Sequence, residues 1–152
     1  MLVLLRAFLE DSEAIANCTR NAYRDEIHKF DNKDRNVMHP TIDEVKHMME
    51  HNFDYKIVLD YNIIGGVIVM SEGARIASIQ DFCIEPFYQN KGYGQLVLKE
   101  VERLHEDIEK WELTTPVYSV GNQYLYEKCG YKRVKIDDFG GVLCIFYEKN
   151  TV

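Results

Sequence analysis

The stretch from Arg75 to Leu104 constrains the fold more than any other. It begins as a strand-like run, "RIASIQDFCI", closed by Glu85–Pro86, and passes through "FYQNKGYGQLV". From Gly92 it turns helical: Tyr93, Val97, Val101 and Leu104 share one face, with Lys99, Glu100, Glu102 and Arg103 elsewhere. A strand therefore feeds a helix through a loop that carries two glycines. The loop sits where unpaired N–H groups and the helix dipole favour an anion. Gly92 and Gly94 remove Cβ atoms that would keep a phosphate away, Lys91 adds positive charge, and Gln89 and Asn90 supply polar contacts or caps. A pyrophosphate fits several N–H groups pointing one way. A tight turn with close helix–strand packing would use the same glycines, and both readings stay open on the loop alone. A dinucleotide fingerprint would need a third glycine where Val97 stands, and no Gly-Lys-Ser/Thr run exists.

The rest of the chain supplies the elements around this unit. Residues 2–8 read as a strand. Asp11 offers an N-cap with Glu13 in the first turn, and Ile15, Cys18 and Ala22 carry a helix to about Arg24. "EIHKFDNKDRNVMHP" has no period and reads as a loop. Thr41 and Glu44 form a capping box for a second helix, whose apolar side is Ile42, Val45, Met48 and Met49. "YKIVLDYNIIGGVIVM" reads as a hairpin turning near Asp60–Asn62. "WELTTPVYSV" is a strand interrupted by Pro116, expected where a ladder hydrogen bond is not needed. A short helix from Asn122 to Lys128 stops at Gly130, and "YKRVKID" and "VLCIFYEK" form a last hairpin around Phe139–Gly141. This order predicts an α/β fold with a mixed sheet.

The chain has 152 residues, read as a single domain over 1–152 that needs no metal or disulfide to fold. The net charge of −7 argues against non-specific nucleic-acid binding and would draw in a cationic small molecule. No apolar run approaches a membrane span, and "MLVLLRAFLED" is too short and too soon charged for a signal peptide. Cys18, Cys83, Cys129 and Cys144 have no metal spacing and read as reduced thiols of a cytoplasmic protein.

Two segments together resemble one family. Gln89-Asn90-Lys91-Gly92-Tyr93-Gly94 resembles the Q/R-x-x-G-x-G/A signature of the GNAT superfamily of N-acetyltransferases. Tyr126-Glu127-Lys128-Cys129-Gly130-Tyr131 resembles its downstream Y-E-K-x-G-F/Y segment, with one helix and one strand between the two. The resemblance implies a mostly antiparallel sheet flanked by helices, splayed between the strands around residues 76–85 and 111–119. It assigns Gln89, Asn90, Lys91, Gly92, Tyr93 and Gly94 to the pyrophosphate of acetyl-CoA, and Phe82, Cys83 and Ile84 to its pantetheine arm. It makes Tyr126 the acid that protonates the leaving thiolate, and it gives a strand N–H near Phe82 to Ile84 to the oxyanion. No metal takes part. The implied activity moves an acetyl group to a primary amine of a small molecule by direct attack in a ternary complex. A protein or peptide acceptor, or an idle acyl-CoA-binding module, are the alternatives. Relatives are often homodimers.

The sequence departs from the family pattern at two places. Many relatives carry Glu-Asp where this chain has Gln80-Asp81; Gln80 is no base, and strand alternation puts Asp81 on the face opposite Gln80 and Phe82. Asp81, Glu85 or a water chain is left to deprotonate the amine. Ser119 stands where relatives often have Asn, and nearby Asn122 is free to cap the short helix or touch the coenzyme. Four other features compete for a role. "HMMEH" puts His47 and His51 on one helix face, without a following helix to offer a third metal ligand. Cys83 would serve as an acyl-accepting nucleophile only with an activating base, and none is near in sequence. Tyr124 competes with Tyr126 for the acid role. The loop over 26–40, with His28, Asp31, Asp34 and His39, is a candidate wall of the acceptor side.

Overall fold

The strand and helix periods translate into one sheet with helices on both faces. The computed structural model describes residues 1–24 and 41–151, without the side chains of 45, 48, 49 and 51. The expected loop over 26–40 lies outside the described residues. In chain order the elements are β1 (Leu2–Arg6), α1 (Ser12–Ala22), α2 (Ile42–His51), β2 (Phe53–Leu59), β3 (Asn62–Gly73), β4 (Ile76–Ile84), α3 (Tyr93–Leu104), β5 (Lys110–Pro116), α4 (Val120–Lys128), β6 (Lys132–Phe139) and β7 (Val142–Asn150). The strands lie in the order β1-β2-β3-β4-β5-β7-β6. Every neighbouring pair is antiparallel except β4 with β5.

The β2–β3 hairpin turns at Asp60 and Tyr61, both with positive φ (47° and 72°), as a two-residue loop that matches strand twist requires. Asp11 behaves differently from its expected forward cap. Its carboxylate accepts the Phe8 N–H at 2.8 Å and the Lys56 ammonium at 3.0 Å, so it pins the strand-to-helix corner onto β2. Thr41 does cap, accepting the Glu44 N–H at 3.1 Å.

The main core lies on the α3 side of the sheet. Val97, Leu98 and Val101 of α3 are fully buried against Ile57, Ile64, Val67 and Trp111. A smaller cluster, Ile15 and Ala16 with Ala7 and Ile63, seats α1 on the other face. Gly65 lets β3 and β4 close there: a Cβ at this position would stand 2.0 Å from the Cys83 carbonyl oxygen.

β4 does not alternate regularly. Its register with β3 runs Gly66–Cys83 and then Ile68–Gln80, so Asp81 and Phe82 together oppose Val67. This is a β-bulge, with Asp81 in the left-handed region at φ 46°. The extra residue sends Phe82 to the main core and Cys83 to Thr19 of α1. Gln80 and Phe82, which simple alternation puts on one face opposite Asp81, are thereby separated, because alternation holds only while the ladder is unbroken.

Candidate functional site

The site begins where the sheet comes apart. β4 and β5 pair only at Ile76–Lys110, Ala77–Trp111 and Ser78–Glu112. Past Ser78 each strand keeps its other partner: β4 stays with β3 to Ile84, and β5 stays with β7 to Pro116. The expected splay is present, and it opens at Glu112, well before Pro116. Glu85 donates its N–H to Ile64 O across β3 at 2.7 Å. Antiparallel alternation then turns the backbone groups of Phe82 and Ile84 toward the gap. Their carbonyls are taken by side chains: Tyr23 Oη donates to Phe82 O at 3.2 Å, and Gln89 Nε2 donates to Ile84 O at 2.8 Å.

A cleft of about 450 Å³ runs from this gap to the start of α3, between the end of α1 and α4. The loop beneath it is shaped by two left-handed residues, Asn90 (φ 61°) and Gly92 (φ 85°). The first intrahelical bond of α3 runs from Leu96 N–H to Gly92 O at 3.4 Å. The N–H groups of Tyr93, Gly94 and Gln95 precede it and form the positive end of the helix. The two glycines do different jobs. A Cβ on Gly92 would meet nothing within 4 Å, whereas one on Gly94 would stand 2.8 Å from Leu125 Cδ2. Gly94 therefore lets α4 approach α3, and Gly92 holds the turn.

Of the residues singled out from sequence, Phe82, Cys83, Ile84, Gln89, Asn90, Gly92, Gly94 and Asn122 line the cleft. Asn122 also donates to Thr115 Oγ1 at 3.3 Å, tying α4 to β5. Three others are elsewhere. Lys91 folds back on its own loop, with Nζ 2.8 Å from Phe87 O and 4.6 Å above the Phe87 ring. Tyr93 packs against the main core. Tyr126 is buried, its ring 5.9 Å from that of Tyr147 and 6.2 Å from that of Tyr131. Burial, with Tyr147 and Cys129 nearby, holds its phenol well above the ordinary range, so it keeps its proton. Cys83 is pushed up to about 11, mainly by burial, and its Sγ lies 3.3 Å from Thr19 Oγ1. It is a neutral thiol at physiological pH, which argues against a nucleophile. His47 is exposed on α2, and the side chain of His51 lies outside the described residues, as do His28, Asp31, Asp34 and His39.

Sequence reasoning missed Tyr23 and Lys128, and it named Tyr124 only as a rival acid; all three line the cleft. Lys128 stands over the Tyr124 ring at 5.6 Å and offers the cation that Lys91 does not. Its signal was its place in "YEKCGY". Tyr23 had none, because its role depends on how α1 crosses β4. Among the described residues no helix is long and apolar enough to cross a membrane, and no group of His, Cys, Asp or Glu is placed to hold a metal.

Residues 53–133, more than half of the chain, match the model of the acetyltransferase (GNAT) domain. No curated protein sequence matches. Three solved structures share the fold. The PaiA N-acetyltransferase of Thermoplasma acidophilum, in complex with coenzyme A, is 18% identical over 99% of both chains, with a TM-score of 0.79. A GNAT family acetyltransferase of Elizabethkingia anophelis with acetyl-CoA bound is 19% identical over 73% of this chain and 84% of its own, with a TM-score of 0.62. The ribosomal-protein-S18-alanine N-acetyltransferase of Escherichia coli is 15% identical over 99% of this chain and 94% of its own, with a TM-score of 0.76.

Proposed function

The chain belongs to the acetyltransferase (GNAT) family, and on that premise we propose that it moves an acetyl group from acetyl-CoA to a primary amine of a small molecule. The observation that carries this reading is the continuity of the splay with the start of α3: one cleft joins the unpaired edge of β4 to a helix N-terminus. A pantetheine arm needs backbone partners along an open edge, and a pyrophosphate needs convergent N–H groups. The cleft offers both, at the spacing of one loop.

In this reading the N–H groups of Phe82 and Ile84 serve the donor. One of them pairs with pantetheine and one faces the thioester oxygen, where it stabilises the oxyanion. The loop from Gln89 to Gly94 and the first turn of α3 hold the pyrophosphate, with Lys128 supplying charge from α4 and Asn122 beside it. The amine gives up its proton to Asp81, Glu85 or a water chain, its nitrogen attacks the carbonyl carbon directly, the C–S bond breaks, and Tyr126, packed behind the cleft wall that Leu125 and Tyr124 form, gives its proton to the departing thiolate. Burial keeps the Tyr126 phenol protonated and makes it a weaker acid, so the transfer depends on how the departing thiolate is placed against it. Tyr124 is the second candidate for this role, because its side chain lines the cleft. The reading also takes residues 1–152 as one catalytic domain of a cytoplasmic enzyme, a compartment that suits four free thiols.

The test is release of free coenzyme thiol from acetyl-CoA across a panel of alkylamines and N-terminal peptides. Turnover with an alkylamine supports the reading. Turnover with peptides alone makes the protein a peptide N-acetyltransferase, and binding of acetyl-CoA without turnover on any acceptor makes it an idle module. Tyr126→Phe is expected to lower turnover and leave acetyl-CoA affinity near normal. The same loss in Tyr124→Phe instead would move the acid role to Tyr124.

A further inference from the structure

The α1–α2 face of the sheet carries a charge that acetyl transfer from the cleft does not use. Asp54 is 1% exposed, and neither carboxylate oxygen has a hydrogen-bond partner among the described residues. Buried charges in folded proteins are paired or hydrogen-bonded, so a carboxylate in this state calls for a partner. Asp54 is in register with Ile68 of β3, which is in register with Gln80 of β4. The bulge at the next residue brings in Asp81, whose charge acts on Asp54, and Glu44 of α2 acts on Asp81 in turn.

The cations nearby are committed. Lys56 is bound to Asp11 at 3.0 Å. Arg6 lies over the rings of Phe53 and Tyr55, at 4.7 and 5.8 Å; its charge reaches Asp54 and partly offsets the like charges of Asp81 and Asp11, but it makes no hydrogen bond to the carboxylate. A like-charge pair with no cation hydrogen-bonded to its buried member binds either a proton or an incoming cation. Burial, with Asp81 next in effect, raises Asp54 to about 7, as expected for a carboxyl waiting for a counter-charge.

The pair also stands at a useful distance from the reaction. Asp81 is one residue from Phe82 and two from Cys83, both of which line the cleft. Asp54 is two strands from the splay, roughly 10 Å at ordinary strand spacing. An attacking nitrogen must come within about 3.5 Å of the thioester carbon, so an ammonium held at Asp54 is not the one that reacts.

We propose that Asp54 and Asp81 seat a second ammonium group of the acceptor, which is therefore a diamine-class cation. One nitrogen reaches the thioester while the other is held by the carboxylates, joined by a chain of roughly four carbons or more. The inference rests on reading the protein as an acetyltransferase of small amines, and it adds the class of amine.

The probes are diaminobutane, butylamine and magnesium chloride. Binding is read first, without acetyl-CoA, as thermal stabilisation of wild type and Asp54→Asn. Diaminobutane is expected to stabilise wild type more than butylamine or magnesium does, and to lose that advantage in Asp54→Asn. Equal stabilisation by magnesium would overturn the inference, as would an unchanged diamine effect in the variant. In turnover, Asp54→Asn is expected to raise KM for diaminobutane by about tenfold to a hundredfold, with KM for butylamine and acetyl-CoA unchanged. A diaminobutane KM that does not move refutes the seat even if acetyl transfer is real. If wild type acetylates neither amine, acetyl transfer to small amines is refuted, and the thermal shift still decides the seat. Asp81→Asn carries the thermal-shift comparison, which needs no turnover, should Asp54→Asn fail to fold.

Discussion

Replacing Asp54 with Asn should make the protein's stability depend less on pH, in a direction the structure dictates. Asp54 is raised from an ordinary 3.8 to about 7 in the folded state. Below 3.8 the carboxyl is protonated folded or unfolded, and it contributes no difference. Between 3.8 and 7 the folded state holds the proton and the unfolded state has released it, so stability falls as pH rises. Each pH unit removes about 1.4 kcal/mol, and a shift of this size removes roughly 4 kcal/mol by pH 8. Asn carries no such titration. The variant should therefore gain on wild type steadily from about pH 4 to pH 8, and the gap in Tm should widen by roughly 8–16 °C for a domain of this length. The assay is thermal or urea unfolding of both proteins across that range. A gap constant with pH would refute the reasoning, and a gap that closes as pH rises would mean that Asp54 is paired as a carboxylate.

Other perturbations test the cleft and its supports. Gly65→Ala forces β3 from β4 against a backbone oxygen and should cost about 2–4 kcal/mol in urea unfolding; an unchanged midpoint would mean that the strands are looser than the register implies. Gly92→Val meets no protein atom but must adopt a left-handed φ, so it should cost only about 1–2 kcal/mol of stability. Its acetyl-CoA affinity, read by titration calorimetry, should still fall more than about tenfold, because the new side chain occupies the space meant for phosphate. Lys128→Met should weaken acetyl-CoA binding by several-fold and flatten its dependence on salt. A salt slope equal to wild type would remove Lys128 from the phosphate contacts.

The parts of this molecule that could be read early are those set by local periodicity. The Tyr93–Val97–Val101 stripe gives α3, the polar Asp60–Tyr61 pair gives a tight hairpin, and the element order follows. The glycine-bearing turn into α3 is legible because glycines and a helix start are both local signals. The rest depends on through-space packing. Lys91 looked like a phosphate ligand, yet its stem reaches Phe87 O first and folds back. Asp81 was placed by alternation, but one extra residue in β4 reversed the faces beyond it, and nothing in "IQDFC" marks a bulge. Tyr23 follows a helix seated by Ile15 against Gly66 and by Ile15 and Ala16 on Ala7 and Ile63, contacts of which those with Ile63 and Gly66 are far away in sequence. Asp54 stands just before the run that reads as a strand and drew no reading, and its isolation appears only once its neighbours across the sheet are known.

The short seam between β4 and β5 bears on how the protein comes apart. Three parallel pairs are all the ladder that joins the β1–β4 half to the β5–β7 half, while each half is stitched internally by long antiparallel ladders. Opening the seam therefore breaks few backbone bonds, and the halves are held together mainly by the core that α3 shares with Ile57, Ile64 and Val67 on one side and Trp111 on the other. The amides of Phe82 and Ile84, which face the gap, should exchange quickly in the free protein and slow down when acetyl-CoA lies along them. Donor binding would then act as a missing strand, adding backbone bonds across a gap that only side-chain packing bridges in the free protein.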